Sequence, residues 1–230
     1  QRDAEFSDVV RDLLGAASFL GVYFTFDSRI TYWTEISRRP ARYVIRMMSL
    51  LIFVSAFIPL GLSGTAYIMR NQEFPQICNF GSLWSDQFVN LQDATLTKVF
   101  PPVGWPDRNQ SHVFRLCLEK SEYPGLTIEE PYPDWSSYET FCADLFSDRR
   151  DTLLLGLRID DLHHNYSDND RFTCRLVVAP GVNLIRIPLE QVRGAPTGRE
   201  TDMKAIQRII LFGHQPKRPV IVYLERFWLE

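Results

Sequence analysis

The hydrophobic pattern of this chain changes character once, close to residue 70. Met47 to Ile68, MMSLLIFVSAFIPLGLSGTAYI, runs for about 22 residues without a charge. A helix of that length crosses the roughly 30 Å hydrocarbon core of a bilayer. Pro59, Gly61 and Gly64 would weaken a soluble helix but suit a membrane one, where small residues allow close packing. Upstream, residues 6–26 predict another helix, with Ser7 as N-cap and Asp8 in its first turn. Leu13 to Phe26 is uncharged but short for a full span, and Asp8 and Asp12, four apart, share a face near Gly15. The pattern thus predicts a membrane region over 1–70: a helix at 6–26, a basic loop at 27–46 and a transmembrane helix at 47–69. Arg38, Arg39, Arg42 and Arg46 precede the span and Arg70 alone follows it closely, so the loop faces the cytoplasm and residues 71–230 lie on the extracytoplasmic side.

From Asn71 onward short runs rich in β-branched and aromatic residues alternate with turn residues, the pattern of an all-β sandwich or barrel. Strands are expected near residues 78–80, 89–99, 113–119, 126–130, 139–146, 152–159, 171–178, 183–188, 208–212 and 220–227. Phe114, Leu116 and Leu118 against Arg115 and Glu119 show the two-residue period of a half-buried strand, as do Phe141, Ala143 and Leu145 against Asp144. One helical turn is expected over 203–207. No glycine-rich phosphate loop and no βαβ rhythm is present.

Composition narrows the function classes. The formal net charge is −3 and the arginines beyond the apolar span are scattered among acids, which excludes a nucleic-acid footprint. The average composition resembles that of a soluble protein only because an apolar first third is mixed with a polar remainder. The chain opens with Gln1, as a fragment or processed product would. Cys78, Cys117, Cys142 and Cys174 all fall on the outer side, where disulfides persist; four cysteines allow three pairings, and one or more disulfides stand as an open alternative to free thiols. Cys174 shares its alternation face with Phe172 and Leu176, which also fits a buried thiol. Asn-X-Ser sequons stand at Asn109 and Asn165.

Two resemblances to known families add to this pattern. The run SDVVRDLLGAASFLG, Ser7 to Gly21, resembles the last helix of VanZ-like membrane proteins, with Asp8 and Gly15 matching and Asp12 standing where that family more often has Asn. That resemblance implies a membrane location and further helices ahead of Gln1. A second resemblance covers residues 74–230. Tyr132-Pro-Asp-Trp-Ser-Ser-Tyr138, Leu153-Leu-Leu-Gly-Leu-Arg-Ile-Asp160, Asp170-Arg-Phe172, Ala179-Pro-Gly181, Ile187-Pro-Leu189 and Ile221-Val-Tyr-Leu-Glu225 follow in an order similar to that of a galactose-binding-like β-sandwich. This is the jelly roll of several carbohydrate-binding modules. The fold expected is therefore an all-β jelly-roll sandwich preceded by two N-terminal membrane-associated helices, with Trp135 and Tyr138 covering one end and the last strand beside the first.

The chemistry expected centres on the loop Asp160 to Arg171. His163, His164, Asn165, Asp168 and Arg171 could hydrogen-bond sugar hydroxyls while Tyr166 stacks on a sugar face. Asp161, Asp168 and Asp170 could instead hold calcium through hard oxygen ligands, although the glycine and terminal Glu of an EF-hand are missing. The third reading is a solvated loop with Asp170 and Arg171 capping or pairing locally. Trp84, Trp105, Trp135 and Tyr132, in turn-rich contexts, are the next candidates as sugar platforms, with core or edge cover as the alternative; Trp84 is the one singled out, and Trp228 reads as packing. Zinc is disfavoured because His163 and His164, as neighbours, point to opposite sides of an extended chain. No motif supports a hydrolase carboxylate pair, since Glu129 and Glu130 are neighbours on opposite faces, and no GxSxG elbow or Cys/His nucleophile signature is present. The function expected is a membrane-anchored, non-catalytic module that recognises a cell-envelope or exported glycan. The alternatives are a docking module for other envelope proteins and a glycan-processing enzyme.

Overall fold

The computed structural model describes residues 6–26, 39–80, 82, 84–105 and 112–230, which form two compact units that part between Thr65 and Ala66. Part of the basic loop, 27–38, and the sequon at Asn109 lie outside the described residues.

The first unit is helical. Helix α1 (Phe6–Phe26) packs against α2 (Arg39–Ala56), where Gly21 permits a close approach: a Cβ there would stand 3.3 Å from Ser49 Oγ. Helix α2 starts earlier than the pattern predicts, at Arg39, because Pro40 fits a first helical turn, whose N–H groups have no partner in any case. Phe57 interrupts the helix and α3 (Ile58–Glu73) resumes it. Pro59 accounts for the break, since it has no N–H to donate toward the preceding turn. Met47–Glu73 is the one helix among the described residues that is long and apolar enough to cross a membrane. The expectation of two membrane helices is thereby reduced to one: Asp8, Arg11 and Asp12 charge the first turns of α1, and the uncharged remainder is too short to span.

The second unit starts within α3, at Ala66, and is an all-β sandwich. Its strands are β1 (Gln76–Asn79), β2 (Val89–Gln92), β3 (Ala94–Val99), β4 (Val113–Leu118), β5 (Gly125–Glu129), β6 (Thr140–Ser147), β7 (Leu153–Asp161), β8 (Phe172–Val178), β9 (Gly181–Pro188), β10 (Ile206–Phe212) and β11 (Val220–Leu229). One sheet has the order β3-β4-β11-β6-β9, with β1 also pairing β11; the other has the order β2-β5-β10-β7-β8. The last strand does lie beside the first, Asn79 opposite Arg226. Two local expectations fail. The long strand at 89–99 divides at Asp93, whose positive φ of 46° turns the chain so that β2 and β3 join different sheets. The helical turn at 203–207 is absent, since Ile206 opens β10; a short helix α4 (Leu189–Arg193) lies earlier.

Alternation places the core. Leu126 and Ile128, Leu155, Leu157 and Ile159, and Ile209 and Leu211 point inward and are almost fully buried. They meet Leu116, Leu145, Phe141 and Phe227 from the facing sheet, as in a sandwich whose inner faces interdigitate. Trp135 is not a lid but part of this core, wholly buried, stacked on Phe141 and donating from Nε1 to the Tyr132 carbonyl at 2.8 Å. All four cysteines are free thiols. Burial pushes the thiol of Cys78 up to about 12 and that of Cys174 up to about 11, so both are packing groups rather than nucleophiles. Of the two alternatives, the structure holds the free thiols.

Candidate functional site

The outer face of the five-stranded sheet is built by residues that alternate with the core positions. In β10 these are Arg208, Ile210 and Phe212; in β5, Gly125, Thr127 and Glu129; in β7, Gly156, Arg158 and Asp160; in β8, Thr173 and Arg175. Register aligns them in rows across the strands. Ile210 stands opposite Thr127 on one side and Arg158 on the other, and Arg158 opposite Thr173. The neighbouring row runs Gly125, Phe212, Gly156, Arg175.

The second row explains its glycines. A Cβ at Gly156 would come within 2.3 Å of Phe212 Cζ, so the Phe212 ring lies across the bare backbone of β7. A Cβ at Gly125 would approach the Leu211 carbonyl to 2.9 Å. Phe212 is half-buried, so part of it stays open to solvent on this face. Tyr123 packs edge-on to it, ring centres 6.2 Å apart, and His214 sits 5.2 Å from Tyr123. Above this floor opens a cleft of about 510 Å³ lined by polar groups from Gln92, Thr127, Arg158, Asp168, Arg171 and Thr173. A second cleft of about 430 Å³, bordered by Leu154, Gly156, Arg175 and His214, shares Phe212 and Thr173 with the first. Together they make one groove along the face.

The electrostatics are concentrated at one end. Asp160 has its side chain fully buried between Arg158 (3.5 Å) and Arg208 (3.1 Å). Burial lowers the pKa of Arg158 against the pull of Asp160 and raises that of Glu129 against the pull of Arg208. The Nε groups of Arg158, Arg171 and Arg208 are buried without a hydrogen-bond partner.

The residues predicted from the sequence divide. Asp168 and Arg171 line the groove and pair with each other. His163 points away, exposed, 3.6 Å from Asp202. His164 is buried with Nδ1 3.0 Å from the Asp170 carbonyl, and Asn165 forms a local turn by accepting from the Ser167 amide at 2.9 Å. Tyr166 projects into solvent with a positive φ of 67°. None of these four lines the groove. Trp84 is held elsewhere, its Nε1 donating to Glu73 at 2.8 Å and its ring edge-on to Phe88.

Arg199, from the connection between α4 and β10, engages two of the carboxylates considered for calcium. Its guanidinium donates to both oxygens of Asp161 (2.5 and 2.9 Å) and to Asp170, while Asp168 is turned to Arg171. For Asp161, burial opposes ionisation, but the Arg199 fork and the Asp202 amide outweigh it and its pKa falls; Asp170 is lowered by Arg199 and the Asn165 amide. The three carboxylates are thus each engaged by an arginine, and no group of three metal-binding side chains is assembled among the described residues. Arg199, Arg158, Tyr123, Thr127 and Phe212 escaped the sequence reading. The outward positions of the expected strands carried the signal for Arg158, Thr127 and Phe212, whereas nothing local marks Arg199.

No protein-family model and no curated protein matches the sequence. Among solved structures, the fold is similar to an exo-β-agarase, with 14% identity and a TM-score of 0.53 over 67% of this chain and 24% of that chain. A second agarase matches with 16% identity and a TM-score of 0.50, over 67% of this chain and 26% of that one. A family 11 carbohydrate-binding module from Clostridium thermocellum, in complex with a β-1,3-1,4-mixed-linked tetrasaccharide, has 13% identity and a TM-score of 0.48, covering 67% of this chain and 93% of that chain. This chain thus spans about a quarter of each agarase. The two agarase likenesses bear on the β-sandwich fold alone; none of the matches supports the VanZ-like resemblance of residues 7–21.

Proposed function

We propose that this protein is a membrane-anchored carbohydrate-binding module that holds a saccharide chain in the groove of its five-stranded sheet without cleaving it. The observation that carries the reading is the Phe212 ring laid over Gly156 and flanked by Tyr123, with polar side chains at its borders. A pyranose has an apolar face and a rim of hydroxyls. A flat aromatic bordered by directional hydrogen-bonding groups matches both parts. The same sandwich fold in two agarases agrees with this assignment. In this reading the Met47–Glu73 helix serves as the anchor, and the arginines ahead of it support an extracytoplasmic side for the sandwich.

The test is binding of the full chain in detergent micelles to soluble polysaccharides, by calorimetry or affinity electrophoresis. Phe212→Ala should weaken binding about tenfold through lost stacking. Asn165→Ala with Tyr166→Ala should leave it unchanged, because neither residue lines the groove. Failure of a folded protein to bind any saccharide would favour the second reading, a docking module for another protein. The observation behind that reading is Leu154 opposite Val177, both exposed at the groove's far end.

A further inference from the structure

The groove's hydrogen-bonding groups are unequally divided between donors and acceptors. A sugar hydroxyl both donates and accepts, and a site shaped for neutral sugars balances the two. Guanidinium groups only donate. Arg171 and Arg175 stand on the same side of β8, two residues to either side of Thr173, with Arg158 across from Thr173 on β7. Against these three guanidiniums the lining holds one carboxylate, Asp168. When the adjoining Arg208, Asp160 and Glu129 are included, the face still carries four arginines against three carboxylates, in a chain of net charge −3.

The pairing within this group leaves one cation uncommitted. Asp160 serves Arg158 and Arg208 from beneath, and Asp168 serves Arg171. Arg175 is exposed beside Gly156 and the Phe212 ring, and its guanidinium makes no ion pair with the described residues. A guanidinium fork matches the two oxygens of a carboxylate or sulfate, and such charge-assisted bonds are about twice as strong as neutral ones.

We propose that the groove selects an acidic saccharide, one bearing a uronate carboxylate or a sulfate ester, with the acid group held by Arg175 beside the sugar stacked on Phe212. This deepens the carbohydrate reading and rests on it. The test measures the full chain in micelles against three probes: a neutral agaro-oligosaccharide, a sulfated galactan oligosaccharide and an oligogalacturonate. At low salt at least one acidic probe should bind about tenfold more tightly than the neutral one, and that advantage should fade as salt rises. Arg175→Gln should erase the advantage and leave neutral binding in place, whereas Phe212→Ala should weaken all probes. The sulfate and carboxylate arms tell the two acid groups apart. Equal affinities for acidic and neutral probes, unchanged in Arg175→Gln, would overturn the acidic preference and leave the carbohydrate reading standing. Loss of both readings would be marked by no saccharide binding at all. Capture of glycerol phosphate in place of any saccharide would assign the groove to a phosphate headgroup and likewise overturn the proposal.

Discussion

At residue 156 the groove depends on a side chain that is missing. The Phe212 ring occupies the space a Cβ would take, and the atoms in the way are the far edge of that ring rather than backbone. Gly156→Ala should therefore tilt the ring instead of disrupting the core. The expected result is saccharide affinity down about tenfold, as stacking is lost, with the melting temperature moving by no more than roughly 2 °C. A large loss of stability with binding intact would mean that the ring is a packing group and not a platform. Asp160 is another residue whose setting matters more than its type. Buried between two arginines, it fixes the direction in which Arg158 and Arg208 leave the sheet, and so positions the groove's cationic end without touching what binds there.

At the scale of elements, the loop between β7 and β8 is held from a distance. Arg199 reaches it from the connection before β10 and binds Asp161 and Asp170, which fastens the loop at both ends. Both carboxylates have depressed pKa values, so the stability they contribute is present above the usual carboxylate range and is lost as pH falls below about 4. Arg199→Met leaves Asp161 buried without its counter-charge. It should cost about 3 kcal/mol at neutral pH, the low end for a broken buried pair because Arg199 is 29% exposed. In that variant only the Asp202 amide still offsets the burial of Asp161, and its pKa rises. The penalty should then shrink on acidification. Thermal melts of both proteins at pH 7, 5 and 4 check the sign: a gap that widens toward pH 4 would refute the role given to Arg199. The His163–Tyr166 segment, rich in candidate ligands, is spent on this local architecture: a buried imidazole, an Asn turn and a residue at positive φ.

At the scale of the molecule, the sandwich includes the end of the apolar helix. Ala66 is buried, and Tyr67 donates its hydroxyl to the Glu130 carboxylate. Arg70 donates to the Glu130 carbonyl at 2.6 Å and lies 4.7 Å over the Tyr67 ring, and Glu73 receives Trp84. Trp84, read from the sequence as a sugar platform, is thus a fastening for this segment. A soluble fragment beginning at Asn71 would lose the contacts of Ala66, Tyr67 and Arg70. It should melt roughly 5 °C below one beginning at Ala66, for a loss of about 2 kcal/mol. Equal melting temperatures in differential scanning calorimetry would mean that the helix end adds nothing to the sandwich.

Much of this architecture was legible in the residues themselves. An uncharged run of bilayer length needs no partner to be recognised, and a two-residue period tells which side of a strand faces the core. That is why Leu116, Leu118, Phe141 and Leu145 read as buried, and why the inward thiol of Cys174 was visible from its neighbours. What local pattern cannot hold is strand order, because pairing joins segments far apart in the chain. The split at Asp93 into two sheets was hidden inside an unbroken β-forming run. The groove was hidden too, since its floor draws Gln92, Thr127, Arg158, Thr173 and Phe212 from five strands that only the closed sheet makes neighbours. The Asp160–Arg171 loop drew attention by its polarity, yet Arg199, some 30 to 40 residues further along, decided its role. Sequence determined the helix, the strands and their buried faces, because those follow from interactions within a few residues. Tertiary structure alone decided which polar side chains pair with each other and which remain free to meet a ligand.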